Sequence, residues 1–394
     1  MAQQVTTKKK TRNQKQSKPK KHQTVVLCMI VKDEATVIER CFDSVKNIVD
    51  YYVICDTGST DGTQNIISEY LKKHKFKGEV HDRPWISFCH NRQEAFDLGV
   101  GKGDYIMTMD ADEVFVPFEN GAPVLTKKNK TLPKFVWDKV DVRTCMGTFF
   151  YNRVQFFKNG LNWKWNYPVH EVCSADNCKS SVVLDDCCIV PNTDGGRAKD
   201  EKRFLRDALT LQNYLIDNPK CARSWFYLSQ SYRDAGEIDK AIPPLFKVLE
   251  FSNWDEEKYL TLLRIGRFKL SQGKPFSEAE PYFLKAYQQR PTRRESLREL
   301  LRYYRKTDQH HLAILFGEKA IKISFPLRDI LFVESDTYEW CIEDDLSVSY
   351  YWTGRYQESY DLCYKILNNK AAQISAGDRE RIKKNLDFSE EKIV

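Results

Sequence analysis

The sequence predicts an α/β domain built on a mostly parallel sheet, followed by an all-α domain of repeated helix pairs. Three observations lead to this fold class. Short β-branched runs alternate with helical spacing over residues 25–113, aromatic strand-like segments fill residues 114–195, and helical spacing alone continues from residue 199. A chain of 394 residues is too long for one ordinary domain. We therefore expect a tail at residues 1–23 and domains at residues 24–198 and 199–394.

The tail carries the excess positive charge of the chain. Its eight Lys and Arg residues, with no acid among them, exceed the formal net charge of +7. Without them, 54 basic residues stand against 55 acidic ones, so the rest of the chain is nearly neutral and no nucleic-acid partner is expected. A tail rich in Lys, Gln and Thr is predicted to be disordered. It would serve as a solubilising extension or, alternatively, as a nuclear address or a contact for a polyanion.

The sequence predicts a cytoplasmic protein. No stretch reaches the roughly 20 consecutive apolar residues of a membrane-spanning helix, and no apolar run precedes a cleavage site near the N-terminus. The basic tail leaves nuclear or surface association open. Twelve cysteines are expected to be mainly reduced, partly buried thiols in that compartment. A structural zinc clip is an alternative for the four clustered ones, although two of them are adjacent, which fits zinc spacing poorly: Cys173, Cys178, Cys187 and Cys188.

The elements of the first domain follow one another as strand, helix, strand. The run from Val25 to Val31 is apolar throughout, too short for a helix, and predicts a strand buried on both faces. Apolar residues then recur at helical spacing from Ile38 to Val45. The same alternation predicts a strand at residues 51–55, a turn and a helix after it, a helix over residues 87–98 and a strand at residues 105–109. Residues 114–195 are predicted to complete this domain with β-segments.

From residue 199, small and aromatic residues recur with a period of about 34 residues. The first copy contains Trp225, Leu228, Tyr232, Gly236 and Ala241, and the second spans residues 262–291. A weaker copy covers residues 297–320 and a degenerate unit residues 347–368. These are the spacings of a tetratricopeptide (TPR) repeat, and about three to four helix pairs would form a curved binding surface. The acidic run at residues 343–345 is expected to be an exposed face of this array.

Two acidic groups follow strands of the predicted parallel sheet. Asp56 ends the second strand, and Asp110-Ala111-Asp112-Glu113 follows the strand at residues 105–109. Ligands of an open parallel sheet bind at the carboxyl ends of its strands. There a carboxylate can accept a hydrogen bond from a ribose or a base, and paired carboxylates can hold a divalent cation that also binds diphosphate oxygens. An Asp-x-Asp pair also occurs by chance in acidic loops, so it is a weak signal by itself.

The N-terminal half carries four motifs in a recognisable order, and these are Cys28-Met29-Ile30-Val31-Lys32-Asp33-Glu34, Asp56-Thr57-Gly58-Ser59-Thr60-Asp61-Gly62-Thr63, Asn91-Arg92, and Gly103-Asp104-Tyr105 leading to Asp110-Ala111-Asp112-Glu113. In order and spacing they resemble glycosyltransferase family 2 over residues 24–115. The resemblance extends through a Trp-rich segment to His170-Glu171, as in the branch of that family with C-terminal TPR helices. It implies a GT-A fold and a nucleotide-sugar donor, with UDP as the expected nucleotide.

The resemblance also implies roles for individual residues. Asp56 would hold the uridine side of the donor, and Arg92 would face its phosphates or sugar. Asp110 would touch the ribose and the metal, Asp112 would be the main ligand of Mn²⁺ or Mg²⁺, and His170 would complete the metal shell. Such enzymes generally invert the anomeric carbon.

The sequence departs from the family pattern at Thr57, where many members carry a second Asp. A ribose contact is therefore missing or supplied elsewhere. His170 also has a structural alternative, as a hydrogen-bonded residue among aromatic neighbours. Trp163 and Trp165 could stack on a sugar, but their alternation is first of all that of one face of a strand.

Inversion by direct displacement requires one carboxylate to take the acceptor proton. Glu171 is our candidate for this base, with Asp141 and Asp194 as rivals. The main hypothesis is a metal-dependent, inverting glycosyltransferase that moves a hexose or N-acetylhexosamine from UDP to a polypeptide or glycan acceptor, held partly by the repeats. The alternative is a catalytically silent scaffold whose repeats bind a protein. A nucleotidyltransferase would usually place a Gly-rich loop where this sequence has Lys32-Asp33-Glu34.

Overall fold

The computed structural model describes residues 23–120, 122–126, 132–147, 149–369, 372 and 374–393, so the predicted tail, Gln23 excepted, lies outside the described residues. Its strands are β1 (Val25–Val31), β2 (Tyr51–Asp56), β3 (Lys77–Asp82), β4 (Tyr105–Thr108), β5 (Glu113–Glu119), β6 (Ala122–Pro123), β7 (Lys139–Met146), β8 (Phe149–Lys158), β9 (Lys164–Asn166), β10 (Val172–Ser174), β11 (Ser181–Pro191) and β12 (Val333–Glu334).

The helices of the first part are α1 (Ile38–Val45), α2 (Thr63–His74) and α3 (Phe88–Gly99). After a short 3₁₀ turn at Gly196–Lys199 come α4 (Arg203–Asp217), α5 (Ala222–Asp234), α6 (Ile238–Phe251), α7 (Asp255–Ser271), α8 (Phe276–Gln289), α9 (Glu295–Lys306), α10 (His310–Ile321), α11 (Ile342–Trp352), α12 (Tyr356–Asn368) and α13 (Ala376–Ile393). The strands of the first part thus end at Pro191 and the long helices begin at Arg203, while the boundary at residues 198 and 199 stays a prediction.

The large sheet has the strand order β3-β2-β1-β4-β8-β7-β11-β5-β6. Strands β3, β2, β1 and β4 are parallel, so their carboxyl ends lie along one edge. The other half is mixed, because β8 runs antiparallel to both β4 and β7 while β11 runs parallel to β7. The predicted α/β fold class with a mostly parallel N-terminal sheet and a following helical array is confirmed.

Strand β1 is buried on both faces, as its composition predicts. Leu27 packs in a core with α1 and its Phe42, whereas Val26 packs on the opposite face with Phe96 of α3. Alternate side chains of a strand point to opposite faces, so an apolar run of this kind requires a layer of helix on each side. This sandwiching fixes the edge at which β1, β2 and β4 end.

The helical part consists of the pairs α5–α6, α7–α8, α9–α10 and α11–α12, with α4 before them and α13 after them. Gly266 of α7 shows why small residues recur in the repeat: a Cβ there would lie 2.5 Å from the ring of Phe283 in α8. The left-handed backbone of Gly236 (φ 78°) allows the tight turn between α5 and α6. The repeat spacing thus reflects close helix packing.

Strand β12 joins the helical part to the sheet. Its Val333 pairs with Phe150 of β8, whereas β4 pairs with residues 156–158 of the same strand. Since β4 and β8 are antiparallel, β12 lies beyond the carboxyl end of β4. The helical part is therefore docked at the edge where ligand-binding residues are predicted.

The prediction of an exposed acidic face at residues 343–345 is wrong. Glu343, Asp344 and Asp345 are buried in α11, with exposures of 3%, 8% and 7%. Arg381 donates to Asp344 at 2.9 Å and Arg305 to Asp345 at 2.9 Å. Basic residues of neighbouring helices offset the cost of burying these charges, and their partnership is invisible in the local sequence.

The four clustered cysteines do not form a metal site. Cys173 lies in β10 and Cys188 in β11, which belong to different sheets. All four are free thiols, and among the described residues no three His, Cys, Asp or Glu side chains are grouped to hold a metal ion. No helix among the residues that the structure describes is both long enough and apolar enough to cross a bilayer.

Candidate active site

Asp56 ends β2 as a fully buried carboxylate. Its Oδ1 accepts hydrogen bonds from the backbone N–H groups of Gly58 at 2.9 Å and Ser59 at 2.8 Å. The positive φ of Gly58 (105°) allows the turn that brings these donors back to the carboxylate. Its Oδ2 has no hydrogen-bond partner among the described residues. A buried acceptor without a partner is costly, so this oxygen is available for a donor from a ligand.

Arg92 links Asp110 to Glu171. Its Nη2 donates to Asp110 Oδ1 at 2.7 Å, and its Nε lies 3.4 Å from Glu171 Oε2. The guanidinium also sits over the ring of Trp165, 5.5 Å from the centroid. The structure thus brings together three of the residues predicted for the site, although they come from α3, the end of β4 and the segment before β10.

The two carboxylates bound by Arg92 differ in protonation tendency. Burial raises the pKa of Asp110, but Arg92 and Arg153 outweigh burial and hold it below its usual value. Burial also raises the pKa of Glu171, which Arg92 opposes only in part. The Glu171 side chain is 10% exposed, against 39% for Asp110. Glu171 is consequently the better proton acceptor of the pair.

Asp112 lies in a strongly acidic environment. Burial, followed by the charges of Asp110, Glu113 and Glu34, raises its pKa to about 7. Arg40 reaches only its backbone oxygen, at 3.4 Å, and among the described residues the Asp112 carboxylate makes no ion pair. Such a carboxylate binds a proton or a cation more readily than an isolated Asp.

The sequence did not single out Arg153 of β8. Its Nη2 donates to both carboxylate oxygens of Glu113, at 2.8 and 2.6 Å, and its Nη1 lies 3.8 Å from Asp110 Oδ2. Glu113 is 4% exposed at its side chain, and this ion pair anchors the end of the Asp110–Glu113 motif. A charged residue in an otherwise aromatic strand was the available signal, but its partner could be identified only from the sheet.

The predicted metal ligand His170 packs against the helical part of the chain. Its ring stacks on Tyr227 of α5, with centroids 3.9 Å apart, and its backbone oxygen accepts from Arg223 at 3.0 Å. Burial, reinforced by Arg223, lowers the pKa of His170 to about 3. The ring is therefore neutral near pH 7 and lies at the contact between the two parts of the chain.

The remaining candidates lie in different surroundings. Asp194 is half exposed and forms a bidentate ion pair with Arg40 at 2.7 Å. Asp141 lies in β7, two strands from β4, where burial raises its pKa. Trp163 is buried in the core against Phe157, with ring centroids 5.1 Å apart. Neither rival carboxylate shares an ion pair with Arg92 or Arg153.

The part of the chain that carries these residues also matches a known protein family. Residues 26–179 match the family model of Glycosyl transferase family 2, a range that includes Asp56, Arg92, Asp110, Asp112 and Glu171. These residues form a glycosyltransferase family 2 domain. The expectation drawn from the four motifs is thereby confirmed, whereas the role of each residue stays a prediction.

Two curated proteins are similar to parts of this chain. The chain is 31% identical over 149 residues to a TPR repeat-containing protein of Synechococcus elongatus, which covers 38% of this chain and 35% of that protein. It is 40% identical over 85 residues to an uncharacterized glycosyltransferase of Rickettsia bellii, covering 22% of this chain and 26% of the relative. The chain thus aligns with about a third and about a quarter of the lengths of these relatives.

Two solved structures are similar to about half of this chain. The crystal structure of MamA aligns with 49% of this chain and 90% of its own length, at 16% identity and a TM-score of 0.32. BtubC from P. vanneervenii aligns with 51% of this chain and 85% of its own length, at 12% identity and a TM-score of 0.40.

Proposed function

We propose that this chain is a glycosyltransferase that moves a hexose or N-acetylhexosamine from UDP to an acceptor, with inversion at the anomeric carbon and with Mn²⁺ or Mg²⁺. The observation that carries the proposal is the convergence of Glu171, Arg92 and Asp110 within ion-pair distance at the carboxyl edge of the parallel strands. This is the edge at which open α/β sheets bind their ligands.

The donor would bind along that edge. The unpartnered Oδ2 of buried Asp56 would accept a hydrogen bond from an N–H of the nucleobase. This bond would satisfy a buried acceptor that otherwise lacks a partner. Arg92 and Arg153 supply positive charge beside Asp110 for the diphosphate. Since both arginines are already held by carboxylates, the donor would meet a pre-arranged site and little reorganisation would be needed.

A divalent cation fits the residues at Asp112. Its carboxylate has no ion pair among the described residues. Burial, together with the acids around it, raises its pKa to about 7, and a cation would relieve the repulsion between these acids. Mg²⁺ is commonly held by one or two carboxylates together with substrate phosphates, so a shell of three protein ligands is not required. Asp112 would hold the ion with Asp110 beside it, and the ion would supply charge neutralisation for the leaving diphosphate. His170 was predicted to complete this shell; its ring stacks on Tyr227, and its role as a ligand stays a prediction.

Glu171 would act as the general base. A raised pKa and low exposure suit a carboxylate that takes the proton of an acceptor hydroxyl as the bond to the sugar forms. Arg92 lies 3.4 Å from Glu171 Oε2 and partly opposes the rise in its pKa that burial causes. The acceptor, a polypeptide or a glycan, would reach this base from the side of β12 and α5, where the helical array meets the domain.

Turnover of a UDP-sugar panel in Mn²⁺, read by release of UDP, tests these assignments. Glu171→Gln should lower kcat by about 10²–10⁴-fold because the base is lost. Asp194→Asn is the matched control, since it removes a carboxylate that is half exposed and paired to Arg40, and it should retain turnover. Retained turnover in Glu171→Gln together with loss in Asp194→Asn would assign the base to Asp194 instead.

The alternative function, a scaffold without catalysis, has one observation in its favour. An apolar hollow of about 470 Å³ lies between α4 and α5, lined in part by Leu209, Ile216 and Trp225, and Ile216 is 76% exposed. Exposed apolar surface of this kind can receive a partner protein. Calorimetry separates the two functions: a transferase should bind a UDP-sugar in the presence of Mn²⁺, and a scaffold should bind none of the panel.

A further inference from the structure

The helical array contains arginines that are fully paired with acids. Arg293, which is 0% exposed, bonds Glu295 at 2.6 Å and Asp329 at 3.2 Å. Arg290 Nε donates to Asp329 at 2.7 Å, and Arg267 donates to Glu334 at 2.6 Å. We call these three arginines and their carboxylates the paired cluster.

The paired cluster holds a segment of the chain itself. Arg293 also donates to the backbone oxygens of Leu331 and Phe332, at 3.3 and 3.0 Å. Glu256 of α7 accepts the N–H groups of Ile330 and Leu331, at 2.8 and 2.9 Å. This part of the array is therefore occupied by residues 329–334, which lead into β12, and it is closed to a ligand.

Arg264 lies one helical turn from Arg267 in α7, yet its environment is different. It is only 8% exposed, and its polar contact is one hydrogen bond, from Nη2 to Gln230 at 3.1 Å. Its Nη1 has no partner among the described residues, and its guanidinium rests over the rings of Phe226 and Phe332, at 4.3 and 5.4 Å. Burial and the nearby charge of Arg233 lower its pKa to about 9. A buried guanidinium with an unused N–H and no carboxylate partner is costly to the protein alone.

Arg223 of α5 is partly buried and also has an N–H group without a partner among the described residues. Its Nη2 donates to the backbone oxygen of His170 at 3.0 Å, its guanidinium lies 4.8 Å from the Tyr227 centroid, and its Nε has no hydrogen-bond partner in the described chain. The carboxylate of the nearby Glu257 already accepts a hydrogen bond from the Ser252 hydroxyl at 2.6 Å. Burial raises the pKa of Glu257, and Ser252, followed by Arg223 and Arg264, opposes that rise. We call Arg223 and Arg264 the unpaired arginines.

The unpaired arginines adjoin the candidate active site. Arg223 holds His170, the residue before the proposed base Glu171. Phe332, which Arg264 contacts, lies 6.1 Å from the ring of Tyr151, two residues from Arg153 on β8. The charges of Arg223 and Arg264 both act on His170 and help to lower its pKa after burial, so both guanidinium groups adjoin the segment that carries Glu171.

We infer that Arg264 and Arg223 form an anion site bordering the candidate active site, which takes the phosphate or carboxylate group of a substrate. Under the proposed function, on which this assignment rests, that substrate is the acceptor. Two planar guanidinium groups with unused N–H donors match the oxygens of either anion, and the aromatic faces beneath them exclude water.

Calorimetric titration of the full chain with inorganic phosphate, and separately with acetate, tests the site at constant ionic strength. We expect one of the two anions to bind with one-to-one stoichiometry, which identifies the ligand class. Arg264→Gln should weaken that binding at least tenfold, and Arg264→Lys should weaken it less because it keeps the charge but loses the planar fork. The matched control is Arg233→Gln, which removes a nearby arginine that is already paired with Asp234 and should bind within twofold of the original chain.

Three outcomes would overturn the inference: neither anion binds, Arg264→Gln binds as well as the original chain, or UDP with Mn²⁺ displaces the anion, which would place it in the donor crevice. If circular dichroism shows that Arg264→Gln does not fold, the anion affinities of Arg223→Gln and Arg264→Lys are compared with that of the original chain instead. The measurement needs no sugar donor. Anion binding without UDP-sugar binding would therefore reject the proposed function and keep the site, and the converse result would reject the site alone.

Discussion

The paired cluster and the unpaired arginines lie in the same helical array but differ in what faces each guanidinium. Arg293 is fully buried and has two carboxylates and two backbone oxygens around it. Arg264 is almost as buried and has one amide oxygen and two aromatic rings. Burial alone thus does not determine the role of a charge; its complement of partners does.

This difference separates structure from function within one fold. A buried charge whose partners are complete stabilises the arrangement that provides them, here the seating of residues 329–334 on α7 and α9. A buried charge with missing partners lowers the free energy of unfolding, and this loss of stability is typical of ligand-binding sites. Asp56 and Asp112 show the same incompleteness in the family 2 domain.

The largest effect is expected in the paired cluster. Arg293→Met should lower the free energy of unfolding by about 3–5 kcal/mol, because it leaves the buried Glu295 without its main partner and removes one of the two arginines that bind Asp329. Urea denaturation followed by circular dichroism measures this loss. Arg355→Met is the control, since the ion pairs of Arg355 with Glu318 and Glu358 are solvent-exposed and worth about 0–1 kcal/mol. Equal losses in the two variants would contradict the distinction.

An intermediate effect is expected at Asp112. Its pKa in the folded chain, about 7, exceeds the ordinary 3.8, so the folded state binds the extra proton and stability is lost as pH rises from about 4 to 7. That loss should be on the order of 2 kcal/mol, less than the full shift implies because the side chain is partly solvated.

Asp112→Asn should flatten this part of the pH profile in thermal melts. The stabilisation by Mn²⁺ should, in the original chain, grow from pH 5 to pH 8 as the proton leaves the site, and it should be absent in Asp112→Asn. Asp138→Asn is a suitable control, because Asp138 belongs to a separate surface network with Lys158. A metal effect independent of pH, or one retained by Asp112→Asn, would reject Asp112 as the ligand.

The smallest effect, and one of opposite sign, is expected at Arg264. Arg264→Met removes a buried charge without a carboxylate partner and keeps an apolar side chain over Phe226 and Phe332, so it should raise stability by roughly 1 kcal/mol. For a chain of 394 residues this corresponds to an increase in Tm of about 1 °C. Differential scanning calorimetry in a buffer free of phosphate and carboxylate measures it. A large decrease in Tm would show that Arg264 stabilises the fold, and it would then not differ from Arg293 in this respect.

The sequence predicted the backbone of the site better than its contacts. Asp56 and Asp110 were placed at strand ends because apolar runs and turn residues are local signals, and the strands do end at Asp56 and Thr108. Arg153 was missed because its pairing with Glu113 joins strands 40 residues apart in the chain. The acidic run at residues 343–345 was misjudged for the same reason, since Arg381 covers Asp344 from α13.

The sequence by itself determined the two-part architecture, the family of the first domain and the helical period of the second. Each of these depends on residues close together in the chain, whose spacing decides which face is buried. Only the tertiary structure decided which charges are satisfied, because the partners of a buried charge come from distant segments that folding brings together. It placed the ring of His170 on Tyr227, completed the partners of Arg293, and left Arg264 without a carboxylate among the described residues.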